Sequence, residues 1–204
     1  MKFQVVTAAA ALAATAGATP NMQVRQTGNF PGNNTVPDNT PFTILSIRTE
    51  SELQYASLSA SQDGLFLLAQ EQGATCPNGE QQNSATFFLS KGELNLYTPS
   101  GVTQKFYTDR TIMGDGILQY RTSPGGRETQ GSESRGWGFD EYGNLDFIGA
   151  SLVACPSSNG AYSVWVWTGV ANPGGNADCV GVNFRATIIN DPVPCTYSYT
   201  PANQ

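Results

Sequence analysis

The chain has 204 residues, of which 39% are apolar and only 13% charged, with a formal charge of −6. That length suits one domain with a substantial core, and the acidic balance without a basic cluster excludes nucleic acid and polybasic membrane contact. Histidine is absent, which excludes Ser-His-Asp and Cys-His catalysis within the chain and zinc sites built on imidazole.

The chain opens with "MKFQVVTAAAALAATAGATP", a single lysine followed by an Ala-rich apolar run and small residues at Ala14-Thr15-Ala16 and Ala16-Gly17-Ala18. This pattern predicts a secretory signal over 1–18; the run is too short and too weakly apolar to span a bilayer. Residues 19–41 are rich in Asn, Pro, Gly and Thr, predicting a flexible leader that buries little apolar area. The leader carries the sequon Asn33-Asn34-Thr35, so Asn33 is the predicted glycosylation site.

A single β domain is expected over 42–204. "FTILSIR" sets Phe42, Ile44 and Ser46 on one face and Thr43, Leu45 and Ile47 on the other, the two-residue period of a strand. "LQYASLS" alternates in the same way, Leu53, Tyr55 and Ser57 against Gln54, Ala56 and Leu58. "GLFLLAQ", "SATFFLS", "ELNLYT", "QKFYTD" and "GILQYRT" follow, each closed by Gly, Pro, Asn or Asp. Ser123–Arg135 interrupts them and reads as a long exposed loop. "GNLDFIGASLVAC", "YSVWVWTGV" and "CVGVNFRATII" complete the set. Short β-favouring runs at regular spacing, with no sustained helical period, predict an all-β fold: an antiparallel β-sandwich or closed barrel of about ten to twelve strands. The C-terminus "TYSYTPANQ" is polar, so no GPI-anchor signal is expected.

Carboxylate pairs can cleave glycosides without histidine, and Asp140 and Glu141 lie beside Trp137 and Phe139 in "GWGFDEYGN". Neighbouring strand residues point to opposite faces, so this pair reads as a hairpin turn instead. Asp109, Asp115 and Asp146 carry the same two readings. Neither G-x-S-x-G nor a glycine-rich phosphate loop occurs, and "MGDGIL" lacks the acidic density of a calcium loop. No catalytic residue, metal or cofactor is therefore expected.

In "YSVWVWT", Trp165 and Trp167 share one strand face, and Tyr162, Val164 and Val166 share the other. The packing reading buries both faces, the tryptophans capped by outer chain. The alternative leaves Trp165 and Trp167, with Trp137, to stack on sugar rings. Cys76, Cys155, Cys179 and Cys195 lack CxxC spacing and admit three disulfide pairings.

The segments "PFTILSIRTESELQYASLSASQDGLFLL", "CPNG", "GASLVACPSS" and "ADCVGVNF", in this order, resemble the PhiA-type fungal cell wall protein family over Phe42 to Phe184. The resemblance implies a small secreted all-β protein of the fungal wall, linked to phialide and conidium development, with no catalytic residues; some members are IgE-binding antigens. It matches Cys155 and Cys179 to the family's later cysteine pair. Members usually carry two early cysteines, whereas this chain has Cys76 there and adds Cys195. The expected bridges are Cys155–Cys179 and Cys76–Cys195, against the alternative of Cys179–Cys195 with Cys76–Cys155. The functional expectation is a secreted, non-enzymatic, wall-associated protein, with polysaccharide or wall proteins as partners. The alternatives are a glycan-binding module or a secreted effector.

Overall fold

The computed structural model describes residues 36–125 and 132–201. The expected signal (1–18), most of the leader, Asn33 and the middle of the Ser123–Arg135 loop lie outside the described residues. Twelve strands follow in chain order: β1 Phe42–Ile47, β2 Leu58–Ser61, β3 Gly64–Leu67, β4 Phe87–Ser90, β5 Glu93–Leu96, β6 Thr103–Asp109, β7 Ile117–Ser123, β8 Trp137–Phe139, β9 Leu145–Phe147, β10 Leu152–Pro156, β11 Tyr162–Val166 and β12 Val180–Ile188. Every strand pairing is antiparallel.

The ladder returns on itself. It runs β10-β12-β1-β4-β5-β6-β7-β11, and β11 pairs back onto β10, closing a circuit of eight strands. The β2–β3 hairpin is laid against β11 and β7 outside that circuit. Closure removes the open edge that an all-β protein must otherwise protect. The outer edge of β2 is covered by the 82–85 segment: Ala85 donates its N–H to the Leu58 carbonyl at 2.8 Å, and the buried Gln72 amide bonds the Ser84 carbonyl at 3.2 Å.

The core follows from the period-two patterns. Phe42, Ile44 and Ser46 of β1, Leu118, Tyr120 and Thr122 of β7, Val164 and Val166 of β11, and Val182 and Phe184 of β12 all point inward and are buried. Phe42 stacks on Phe87, Phe87 meets Phe106, and Phe106 meets Tyr120 edge-on, a run of rings through the interior. Such pairs add stability beyond the area they bury.

Two segments depart from the sequence reading. Leu53–Tyr55 is a turn, not a strand, and Ser57 makes only an isolated bridge to Leu45. The Ser46 hydroxyl lies buried beneath the turn and bonds the carbonyls of Leu53 and Ala56, and Tyr55 takes a positive φ of 63°. "GNLDFIGASLVAC" is two strands, since Ile148 and Gly149 adopt positive φ values of 52° and 73° and break the run. The last six residues expected in the leader belong partly to the fold: Asn39 N–H bonds the Leu89 carbonyl at 2.6 Å, and Asp38 accepts the Lys91 N–H at 2.9 Å.

The four cysteines form Cys76–Cys195 and Cys155–Cys179, with 119 and 24 residues of separation. The first bridge holds the C-terminal segment across the open end of the β6–β7 hairpin. Inside that segment Tyr197 is buried, and the Gln104 side chain treats its backbone as a strand partner. Gln104 Nε2 donates to the Tyr197 carbonyl, and Tyr197 N–H donates to Gln104 Oε1, both at 2.8 Å. Gln104 Nε2 also reaches Thr122 Oγ1 at 2.9 Å. The Tyr197 hydroxyl accepts the Thr86 N–H at 2.9 Å, and burial raises the Tyr197 phenol above its ordinary pKa.

Gln104→Leu strands a buried N–H and a buried carbonyl on Tyr197, and we expect a loss of about 3 kcal/mol in urea unfolding. Cys76→Ala/Cys195→Ala is expected to cost about 5 kcal/mol on the chain-entropy model, against about 3 kcal/mol for Cys155→Ala/Cys179→Ala. The two double variants compared by urea unfolding check that order.

Candidate functional site

The acidic candidates resolve first. Asp140 occupies the turn between β8 and β9. Its Oδ1 accepts the N–H groups of Tyr142 and Asn144 at 2.9 and 2.8 Å, and its Oδ2 accepts Asn144 Nδ2 at 2.9 Å. Both oxygens therefore serve the turn, while Glu141 beside it is exposed. Asp109 Oδ1 accepts the Thr111 N–H at 2.9 Å, and this bonding to Thr111 lowers its pKa. Asp115 Oδ2 accepts the Gly174 N–H at 3.3 Å, and Asp146 Oδ1 the Gly149 N–H at 3.0 Å. Asp109, Asp140 and Asp146 answer backbone donors of their own turns, the work Asp does where a chain reverses, and Asp115 ties its loop to the Pro173–Gly175 turn. Among the described residues no group of three Cys, Asp or Glu side chains is placed to hold a metal ion.

A groove of about 250 Å³ is lined by Ser57, Ser59, Leu68, Ala69, Asn83 and Ser84. No titratable group lines it. Its hydroxyls and amides can bind but cannot move a proton near neutral pH.

The tryptophans separate into three environments. Trp137 is 4% exposed, with its ring edge-on to Phe147 at 5.0 Å between centroids. Phe139, two residues on, meets Phe42 edge-on at 5.4 Å. The β8–β9 hairpin is thus a cover for the core, and this corrects the expectation that Trp137 offers a sugar platform: its faces are occupied by the protein. Trp165 lies on the outer face of β11, partly buried. Its Nε1 donates to Ser163 Oγ at 3.0 Å, and Gly174 lies over its ring. A Cβ on Gly174 would stand 2.4 Å from Trp165 Cη2, and Gly174 has a φ of +60°. Only glycine allows that approach in that conformation. Trp167 lies one residue past β11 and is 40% exposed. The packing reading capped both tryptophans; in the structure Gly174 caps Trp165, while Trp167 stays 40% exposed.

Trp167 belongs to a cluster of loops at the closed end of the β6–β7 hairpin, opposite the C-terminal segment. Trp167 N–H bonds the Ser151 carbonyl at 2.8 Å, and Val166 N–H bonds the Gly116 carbonyl at 2.9 Å. Thr168 Oγ1 reaches the Asp115 carbonyl at 3.4 Å, and Arg110 sits over the Phe147 ring at 5.1 Å. The β6–β7, β9–β10 and β11–β12 loops are tied together by these contacts. Cys155–Cys179 fastens the end of the last loop to β10. Residue by residue, the sequence singled out Trp165 and Trp167 here but not Ile112, Met113 or Ile148. Their signal was an apolar side chain inside a turn.

Ion pairs hold the chain that leads into the hairpin cover. Glu93 bonds Lys105 at 2.8 Å and Arg135 at 3.3 Å, and Arg110 clamps Glu133 through two bonds of 2.9 and 2.7 Å. The hydrogen bond from Lys105, then the positive charges of Lys105 and Arg135, outweigh desolvation and lower the Glu93 pKa; Arg110 lowers that of Glu133. A carboxyl with a depressed native pKa adds stability above its unfolded pKa and loses it as pH falls through the native value.

Two outcomes are expected. Gly174→Ala pushes the loop off Trp165 and lowers the unfolding midpoint, with a red-shifted tryptophan emission. Thermal melts from pH 7 downward show wild type losing stability below about pH 4.3, the ordinary glutamate value, more steeply than Glu93→Gln.

The comparisons with known proteins now bear on this arrangement. The model of a family described as PhiA-like secreted protein matches residues 42–198. The chain is 42% identical to a cell wall protein phiA of Emericella nidulans, over 80% of this chain and 91% of that one. It is 39% identical to a cell wall protein phiA of Aspergillus fumigatus, over 79% and 87%, and 40% identical to one of Aspergillus niger, over 78% and 86%. No solved structure matches. With the family model spanning the whole closed ladder from β1 to Ser198, this chain belongs to the PhiA-like secreted protein family.

Proposed function

We infer that this protein is exported, becomes associated with the fungal cell wall, and acts there without catalysing a reaction. The relatives supply the place, since those named above are cell wall proteins. The observation that carries the non-catalytic part is the employment of the acids: Asp109, Asp115, Asp140 and Asp146 are each bonded to the backbone of a turn. A general acid needs a proton to give at working pH, and the bonding of Asp109 to Thr111 lowers the Asp109 pKa instead. The groove beside β2 holds no acid, base or thiol, and all four cysteines are in bridges.

What remains is a durable closed shell. Two disulfides suit an oxidising exterior, and with only 13% of residues charged the surface depends little on salt. A role in the walls of conidium-bearing cells is part of this proposal.

Fractionation of cells producing the tagged full chain tests the reading. The protein is expected in the wall and culture fluid, oxidised at all four cysteines. Wall-bound material should stay bound in about 1 M salt, where the Debye length is near 3 Å, because no basic cluster holds it. Recovery in the cytosol with free thiols, or hydrolysis of a wall polysaccharide by the pure protein, contradicts the reading.

A further inference from the structure

We propose that the loop cluster around Trp167 is the face by which the protein docks on the wall, and that its partner is an uncharged polymer of N-acetylated sugar, chitin. The proposal rests on the wall-associated reading above and names the surface and ligand that it needs. Five exposed large apolar side chains stand on these three loops: Ile112, Met113, Ile148, Trp167 and Val170. Ile112 and Met113 are 92% and 93% exposed, so neither contributes to the core. Apolar side chains gathered on one region of a secreted protein mark an interaction surface.

The electrostatics select the partner. Arg110 is clamped by Glu133 at 2.7 Å, and Asp109 and Asp115 accept backbone N–H groups. No cation is left on the loops to meet an anionic lipid or a polyanion, and the net charge of −6 repels both. The polar groups of these loops are the hydroxyls of Ser151 and Thr168 and the Asp109 and Asp115 carboxylates, each with an oxygen held by a backbone N–H, groups that accept or donate to sugar hydroxyls. A neutral, hydroxyl-rich polymer fits that fringe. The predominance of aliphatic over aromatic side chains separates the sugars. A plain glucan offers hydroxyls and C–H faces. An N-acetylated sugar adds a methyl for Ile112, Met113 and Val170, while Trp167 stacks on the ring.

The platform is also pre-ordered. Val166 and Trp167 N–H groups, Thr168 Oγ1 and the Gly174 N–H tie the loops to one another, so little ordering is left to be done on binding.

Binding of the purified full chain to insoluble chitin tests the proposal. Wild type is expected to be retained. Trp167→Ala and Ile112→Ser/Met113→Ser should each weaken retention on the order of ten-fold, with unfolding midpoints unchanged. Ile188→Ser, an exposed apolar residue at the far end of β12, should bind as wild type does. No retention of wild type, or equal retention of all variants, overturns the proposal. Binding to insoluble β-glucan but not chitin overturns the choice of sugar. Self-association lost in Trp167→Ala, or sedimentation with phosphatidylcholine vesicles, gives the face to another occupant and overturns it too. If chitin fails while the tagged protein still fractionates with the wall, the docking proposal falls and the wall-associated reading stands. Chitin binding by a protein absent from the wall gives the reverse.

Discussion

The grip of Gln104 on the backbone of Tyr197 carries the closed ladder. The eight-stranded circuit consists of well-paired hairpins joined at narrow seams. β6–β7 shares seven registered pairs, β1–β12 six and β10–β11 five. β1–β4, β5–β6 and β7–β11 each share a single one. A seam of one pair cannot hold two hairpins together unaided, since an isolated hairpin is marginal in water. Tyr197 spans the weak side. Its backbone is bound to β6 through Gln104 and its hydroxyl to Thr86 at the start of β4, and Cys195 N–H bonds the carbonyl of Tyr97 just past β5. The Glu93–Lys105 pair crosses the same seam on the outside.

That arrangement divides the molecule into a structural end and a free end. At the first, the C-terminal segment, Cys76–Cys195 and the Tyr120 hydroxyl bonded to the Ser198 carbonyl fill the mouth where a ligand-binding barrel would keep a cavity. At the second, three loops cross-bond near Trp167 and leave aliphatic side chains in water. At the structural end the buried Gln104 amide and the Tyr120 and Tyr197 hydroxyls are all bonded within this closure.

Much of this was legible in the alternation of the strands. Phe42, Ile44 and Ser46 point inward as the two-residue period requires, and Val164 and Val166 fill the core opposite the tryptophans. The Asp140 turn was legible too, because Asp before Gly at a chain reversal has a specific bonding role. Leu53–Tyr55 misleads, since its period is that of a strand, while the Ser46 side-chain hydroxyl, seven residues before Leu53, bonds the Leu53 and Ala56 carbonyls, and no alternation pattern reports such a contact. Trp137 was illegible for a different reason. A tryptophan next to a turn has the same sequence whether it covers a core or meets a ligand, and only the packing of Phe139 on Phe42 decides. Tyr197 hid within a tail that reads as polar. Its partner is a side-chain amide on β6, and no periodicity reports that kind of pairing.

Native-state hydrogen exchange, followed amide by amide, tests most directly whether the tail is an integral part of the closed ladder. Proteins open in cooperative units, and amides within one unit share its opening free energy. The account predicts that the Cys195, Thr196 and Tyr197 amides exchange only with global opening, at the same free energy as those of β6 and β7. Free exchange of these three amides, with the ladder still protected, would contradict it.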